Sequence, residues 1–207
     1  MNTSRSALVA LTLLTSTAAN ADVSANLGFA SDYYYRGIFQ AQSSANAGLD
    51  YEKNGFYAGT WSANVKDGLE IDGYFGYGGE VGDFGYSVGY TGYFYTGDFD
   101  DTYQEINLGG TFGVFSLDVA VGGYDNFGGP KLDYTYYVLS AEKNGFFGKY
   151  AGFSQDFSGE YFEVGYNTTV AEIDLGLTIL FNDKELSGDG QSDQALILTI
   201  GKSFDLN

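Results

Sequence analysis

The chain has 207 residues, a formal net charge of −18, 31 glycines, 19 tyrosines and 17 phenylalanines, against one proline and one tryptophan. It holds neither histidine nor cysteine, which excludes a Ser-His-Asp triad, a Cys-His pair, a histidine-ligated zinc or haem and a disulfide framework. The acidic balance excludes nucleic acid as a partner, and so much Tyr, Phe and Val with one Pro does not describe a disordered chain.

Residues 1–21 read as a cleaved secretory signal peptide. Arg5 is the only charge of a short n-region, Ala7 to Leu14 form an apolar run, and Ala19-Asn20-Ala21 supplies a cleavage site before Asp22. The run falls well short of the roughly 20 residues that a membrane helix needs. Residues 22–207 are expected to form one domain.

From Val23 onward the chain alternates in segments of about ten residues separated by Gly, Asn and Asp, the pattern of barrel strands. The first segment runs from about Val23 to Gly37. It sets Leu27, Phe29, Ser31, Tyr33 and Tyr35 on one face, and Asn26, Asp32, Tyr34 and Arg36 on the other. Arg36 is the only arginine after the leader. The second segment, Ser43 to Glu52, sets Leu49 and Tyr51 opposite Asn46 and Asp50. Lys53-Asn54-Gly55 is a tight hairpin turn, because both central residues tolerate positive φ. The third segment, Phe56 to Asn64, carries Trp61.

Leu69, Ile71, Phe75 and Tyr77 then alternate with Glu70, Asp72 and Tyr74, and Phe84 to Tyr95 continues the pattern with Tyr93 among the polar-face positions. After an acidic loop, Thr96 to Thr102, Ile106, Leu108 and Phe112 oppose Glu105 and Asn107; Phe115, Leu117, Val119 and Val121 oppose Ser116, Asp118 and Ala120. The only proline, Pro130, sits in the loop that follows, where it interrupts no ladder. Leu132 to Glu142 has apolar residues on both parities, so its facing is unassigned. Lys143-Asn144-Gly145 repeats the earlier turn within Glu-Lys-Asn-Gly-Phe, six segments later, as a six-strand duplication or two separate good turns would produce. Phe146 to Ser154 comes next, then Phe162, Val164 and Tyr166 against Tyr161 and Glu163. Ile173, Leu175, Leu177, Ile179 and Phe181 oppose Asp174, Gly176 and Thr178, and a last run reaches Phe204.

This is an all-β chain of about twelve strands, or ten if one has been split. A secreted sandwich would alternate in the same way. Two features favour a single antiparallel up-and-down transmembrane β-barrel. Nearly every segment has a greasy face, and aromatics such as Tyr33, Tyr35, Tyr51, Tyr77 and Phe94 gather near segment ends, as the girdles at two lipid–water boundaries do.

Ser31-Asp32-Tyr33-Tyr34-Tyr35-Arg36-Gly37, preceded by Val23-Ser24-Ala25-Asn26, resembles the N-terminal signature of the TorF family of porins. Gly55 to Ser62 and Leu69 to Tyr77 resemble that family's next block. The resemblance implies a bacterial outer-membrane channel for small solutes, surrounded by lipid and inserted by the barrel-assembly machinery; it assigns neither a solute nor an oligomeric state. With the apolar parity toward lipid, the lumen receives Asp32, Asp50, Glu70, Asp72, Glu105, Asp118, Glu163 and Asp174, against Arg36 and Lys149. An acid-lined pore attracts cations. The expectation is a narrow, cation-preferring diffusion channel; a closed structural or ligand-binding barrel, its acids gathered around Arg36, is the alternative. No enzyme, cofactor or metal site is expected. Asp98, Asp100 and Asp101 lack the spacing of an EF-hand loop.

Overall fold

The computed structural model describes residues 22–188 and 190–206; the expected leader, 1–21, lies outside them. The described residues form twelve strands: β1 (Asp22–Tyr35), β2 (Ile38–Lys53), β3 (Phe56–Val65), β4 (Gly68–Val81), β5 (Phe84–Tyr95), β6 (Tyr103–Phe112), β7 (Phe115–Tyr124), β8 (Leu132–Lys143), β9 (Phe146–Gln155), β10 (Glu160–Val170), β11 (Ile173–Asn182) and β12 (Asp193–Asp205). Each pairs antiparallel with its sequence neighbours, and β12 closes on β1. This is an up-and-down barrel and not a sandwich, so closure leaves no sheet edge along the paired wall.

The two ends differ. At one end, residues 54–55, 82–83, 113–114, 144–145 and 171–172 are two-residue turns, and β1 begins and β12 ends there. Asn54-Gly55 and Asn144-Gly145 adopt almost the same backbone, with φ of 52° and 83°, and of 55° and 84°. Both central residues are left-handed, the geometry that follows the twist of the flanking strands. The opposite end carries the longer connections 96–102, 125–131, 156–159 and 183–192.

Burial is inverted relative to a soluble barrel. Every strand exposes at least one large apolar side chain on the outer wall; Leu27, Leu49, Phe75, Leu108, Leu117, Leu139, Leu177 and Leu198 are examples. The inner wall holds Glu70, Asp72, Glu105, Ser87, Thr178 and several tyrosines, all buried. An exposed apolar surface that runs around a whole barrel suits a hydrocarbon surrounding and not water.

The hairpin of β1 and β2 departs from this wall. The β1–β12 ladder stops at Ala30↔Thr199, after which the Leu198 amide donates to the Ser31 hydroxyl at 3.0 Å. The β2–β3 ladder stops at Asn46↔Ala63. Past that point single contacts replace the ladder, from the Ser44 hydroxyl to the Asn64 carbonyl (2.7 Å) and from the Lys66 amide to the Gln40 carbonyl (3.1 Å). Ser43 has φ 60°, and the β1–β2 register shifts between Tyr33 and Tyr34. A bulge of this kind re-aims the side chains beyond it. Residues 31–44 are therefore freed from both neighbouring strands and lean across the lumen.

Candidate functional site

The tip of that hairpin is a two-residue turn, Arg36-Gly37, with φ of 50° and 81°. A glycine after the arginine adopts the left-handed conformation without steric cost. The Gly37 carbonyl accepts a hydrogen bond from the Asn182 side chain on β11 at 2.9 Å. The position also requires a glycine for space: a Cβ there would run into the ring of Tyr161 and the side chain of Leu186.

From this turn Arg36 reaches β6 across the barrel. Its two terminal nitrogens donate to the two oxygens of Glu105 at 2.8 and 2.7 Å, a fork that matches the carboxylate. Glu105 also accepts from the Tyr93 hydroxyl (2.8 Å), the Tyr134 hydroxyl (2.7 Å) and the Asn107 amide (2.7 Å). Five donors on one buried carboxylate offset the cost of withdrawing it from water. The guanidinium lies 4.1 Å from the Tyr136 ring centroid and 5.0 Å from that of Tyr35, so the rings reinforce its charge. Tyr136 and Tyr161 share a hydroxyl–hydroxyl bond of 2.7 Å beside it.

A second cluster borders the first on β4. The Tyr33 hydroxyl donates to Glu70 at 2.7 Å, and the Tyr33 ring meets Trp61 edge-on at 5.8 Å. Glu70 has no exposed surface, Glu105 is 2% exposed and Asp72 5%. One oxygen each of Glu70 and Asp72 is buried without a hydrogen-bond partner. Seen along the barrel, this level is filled by side chains.

Toward the tight-turn end the interior is more open. Asp50 accepts from Asn26 at 3.1 Å and from the Tyr74 hydroxyl. Lys149 pairs with Glu163 at 3.2 Å, and both side chains keep some exposure, 22% and 14%. Asp118 is half-buried near Ser87, both having an oxygen close to where a Cβ on Gly109 would stand. Asp174, lowest of the set, accepts from Thr169 at 2.6 Å. Gly76 and Gly89, on adjacent strands, leave the space that the Tyr57 hydroxyl occupies.

Of the acids expected in the lumen, Glu70, Asp72 and Glu105 gather near Arg36, and Asp50, Asp118, Glu163 and Asp174 lie along the barrel below. Asp32 lies half-buried on the hairpin that leans into the lumen, on the face opposite Tyr33, whose hydroxyl bonds Glu70. The lean of the hairpin removes Tyr33 and Tyr35 from the expected aromatic girdle, since both sit within the interior cluster. Sequence reasoning also missed Tyr134 and Tyr136, which lie on the strand whose facing alternation leaves ambiguous. The available signal was a lone arginine at a turn amid a surplus of carboxylates and tyrosines. Among the described residues no group of three or more acidic side chains could hold a metal ion.

A family model described as "Bacterial protein of unknown function (Gcw_chp)" matches residues 15–178. The chain belongs to that family. No curated protein matches it. Among solved structures, this Gcw_chp chain resembles a protein from a study of the in-meso crystallization of membrane proteins, with a TM-score of 0.59 at 9% identity over 89% of this chain and 84% of that one. At such identity the likeness concerns the fold alone. Looser likenesses are to the anion-selective porin from Comamonas acidovorans (TM-score 0.41, 14% identity, 89% of this chain and 98% of that one) and to Pseudomonas aeruginosa OccK1 (0.43, 15%, 80% and 57%). The chain matches little more than half the length of OccK1.

Proposed function

We propose that the protein is a porin-like barrel of the bacterial outer membrane that passes small solutes, prefers cations, and has its narrowest point at the Arg36 hairpin. The long connections then face outward and the tight turns face the periplasm, the usual disposition of such barrels. The resemblance of residues 31–37 to TorF-family porins supports this reading. The observation that carries it is the interior charge: Asp50, Glu70, Asp72, Glu105, Asp118 and Glu163 stand against Arg36 and Lys149, inside an apolar outer wall. Each base is paired with one acid, and packing seals Glu70 and Asp72, which leaves Asp50 and Asp118 in the more open part of the barrel to draw cations. A second reading, a closed barrel, is favoured by the packing around Glu70 and Glu105, which admits almost no water.

Liposome swelling separates the two. Proteoliposomes placed in isosmotic glycine should swell slowly with the wild type and faster with Arg36→Ala, which unfastens the hairpin. Liposomes that swell with neither protein would overturn the channel in favour of the closed barrel.

A further inference from the structure

Above the Arg36 hairpin, at the end with the longer connections, the structure holds a cavity of about 120 Å³ that adjoins the Arg36–Glu105 cluster and shares Tyr35, Tyr93 and Tyr134 with it. Its walls include Tyr95, Tyr103, Tyr134 and Phe157, with Asp100 among them and Arg36 at its base. We propose that this cavity binds a small organic cation, such as a methylated ammonium group. The inference rests on the cation-preferring reading above and names the class of solute that this end of the barrel holds.

Three observations carry it. The walls are rings in contact: Tyr134 and Phe157 lie 5.3 Å apart, Tyr103 and Tyr134 6.1 Å, and Tyr95 and Tyr103 6.3 Å. An aromatic face carries negative potential, and a wall made largely of rings favours a cation whose weak hydration lets it leave water. The charge balance has the same sign. Arg36 is spent on Glu105 through both terminal nitrogens, whereas Asp100 is held only by the hydroxyls of Tyr103 (3.0 Å) and Tyr124 (2.8 Å) and the Asp101 amide, with no cation opposite it among the described residues. Those two tyrosines stack at 4.3 Å, which fixes the carboxylate in place. Lastly, the adjoining cage of Tyr35, Tyr93 and Tyr136 already holds a cation, the guanidinium of Arg36, at 4.1 to 5.9 Å from the ring centroids.

The competing occupant is an anion drawn to Arg36. Isothermal titration of the full barrel in detergent micelles, with tetramethylammonium chloride against sodium chloride of equal strength and with sodium acetate as the anion probe, decides between them. The expected result is saturable tetramethylammonium binding, weakened roughly two- to fivefold by Phe157→Leu, as for loss of one ring, and further by Asp100→Asn. The unchanged heat-dependent migration of the folded barrel on a gel verifies that each variant is folded. Acetate binding in place of tetramethylammonium, no saturable binding of either, or folded variants that bind as well as the wild type would each overturn the inference. Binding is read without conductance. A barrel that binds the cation but passes no current contradicts the channel and not this site, and a cation-selective channel with no saturable binding contradicts only this site.

Discussion

Replacing Arg36 by alanine removes one partner of a pair in which the arginine side chain is 12% exposed and the glutamate fully buried. Solvent screening therefore gives little relief. Breaking a buried pair costs about 3–5 kcal/mol, because the remaining charge is left uncompensated. Glu105 keeps Tyr93, Tyr134 and Asn107 as donors, which places the loss near the lower bound. The contact with Tyr136 adds about 1 kcal/mol. A total of about 3–4 kcal/mol corresponds to a fall in Tm of roughly 6–15 °C for a chain of this size. Trp61 is the only tryptophan and touches Tyr33 within the cluster, so its fluorescence reports unfolding of this region directly. Urea unfolding in phospholipid vesicles, followed at Trp61, gives the loss for Arg36→Ala, Glu105→Gln and the double variant. The double variant should be more stable than the sum of the single losses implies, by about 2 kcal/mol, since a neutral amide at position 105 no longer needs the cation. A loss below about 1 kcal/mol for Arg36→Ala, or simple additivity, would refute the reasoning that the Arg36–Glu105 pair fastens the hairpin.

Other outcomes follow from the same interior. Tyr136→Phe deletes the 2.7 Å bond to Tyr161 and should lower stability by about 1 kcal/mol in the same urea assay. Gly89→Ala brings a methyl group against the Tyr57 hydroxyl and should cost about 1–3 kcal/mol; combining it with Tyr57→Phe should restore much of that loss. Lys149→Met leaves Glu163 without its cation and should raise the preference for potassium over chloride, read as a larger reversal potential under a salt gradient.

The alternation of apolar and small or polar residues carries the architecture, because a strand that separates lipid from an interior must alternate along its whole length. That is why β11, with Ile173, Leu175, Leu177, Ile179 and Phe181 on one parity, is legible. Alternation places Glu70, Asp72 and Glu105 on the interior face on the same grounds. The inward hairpin is hidden for a physical reason. It depends on where the β1–β12 and β2–β3 ladders end and on a left-handed Ser43, a conformation that serine does not advertise. Because the hairpin leans into the lumen, the parity that points outward lower on β1 carries Tyr33 and Tyr35 into the interior cluster, whereas simple alternation sends them outward. On β8, Tyr134 and Tyr136 face the interior on one parity while Leu139 is exposed on the other, but Leu132, on the parity of the interior tyrosines, is apolar too, so the sequence leaves the facing open.

The most direct test is the zero-current potential of the purified barrel in a planar bilayer under a tenfold potassium chloride gradient. The interior carboxylates predict a potential of cation-selective sign, reduced when Asp50 and Asp118 are both replaced by asparagine. A potential of anion-selective sign, or one that the double substitution leaves unchanged, would contradict the account.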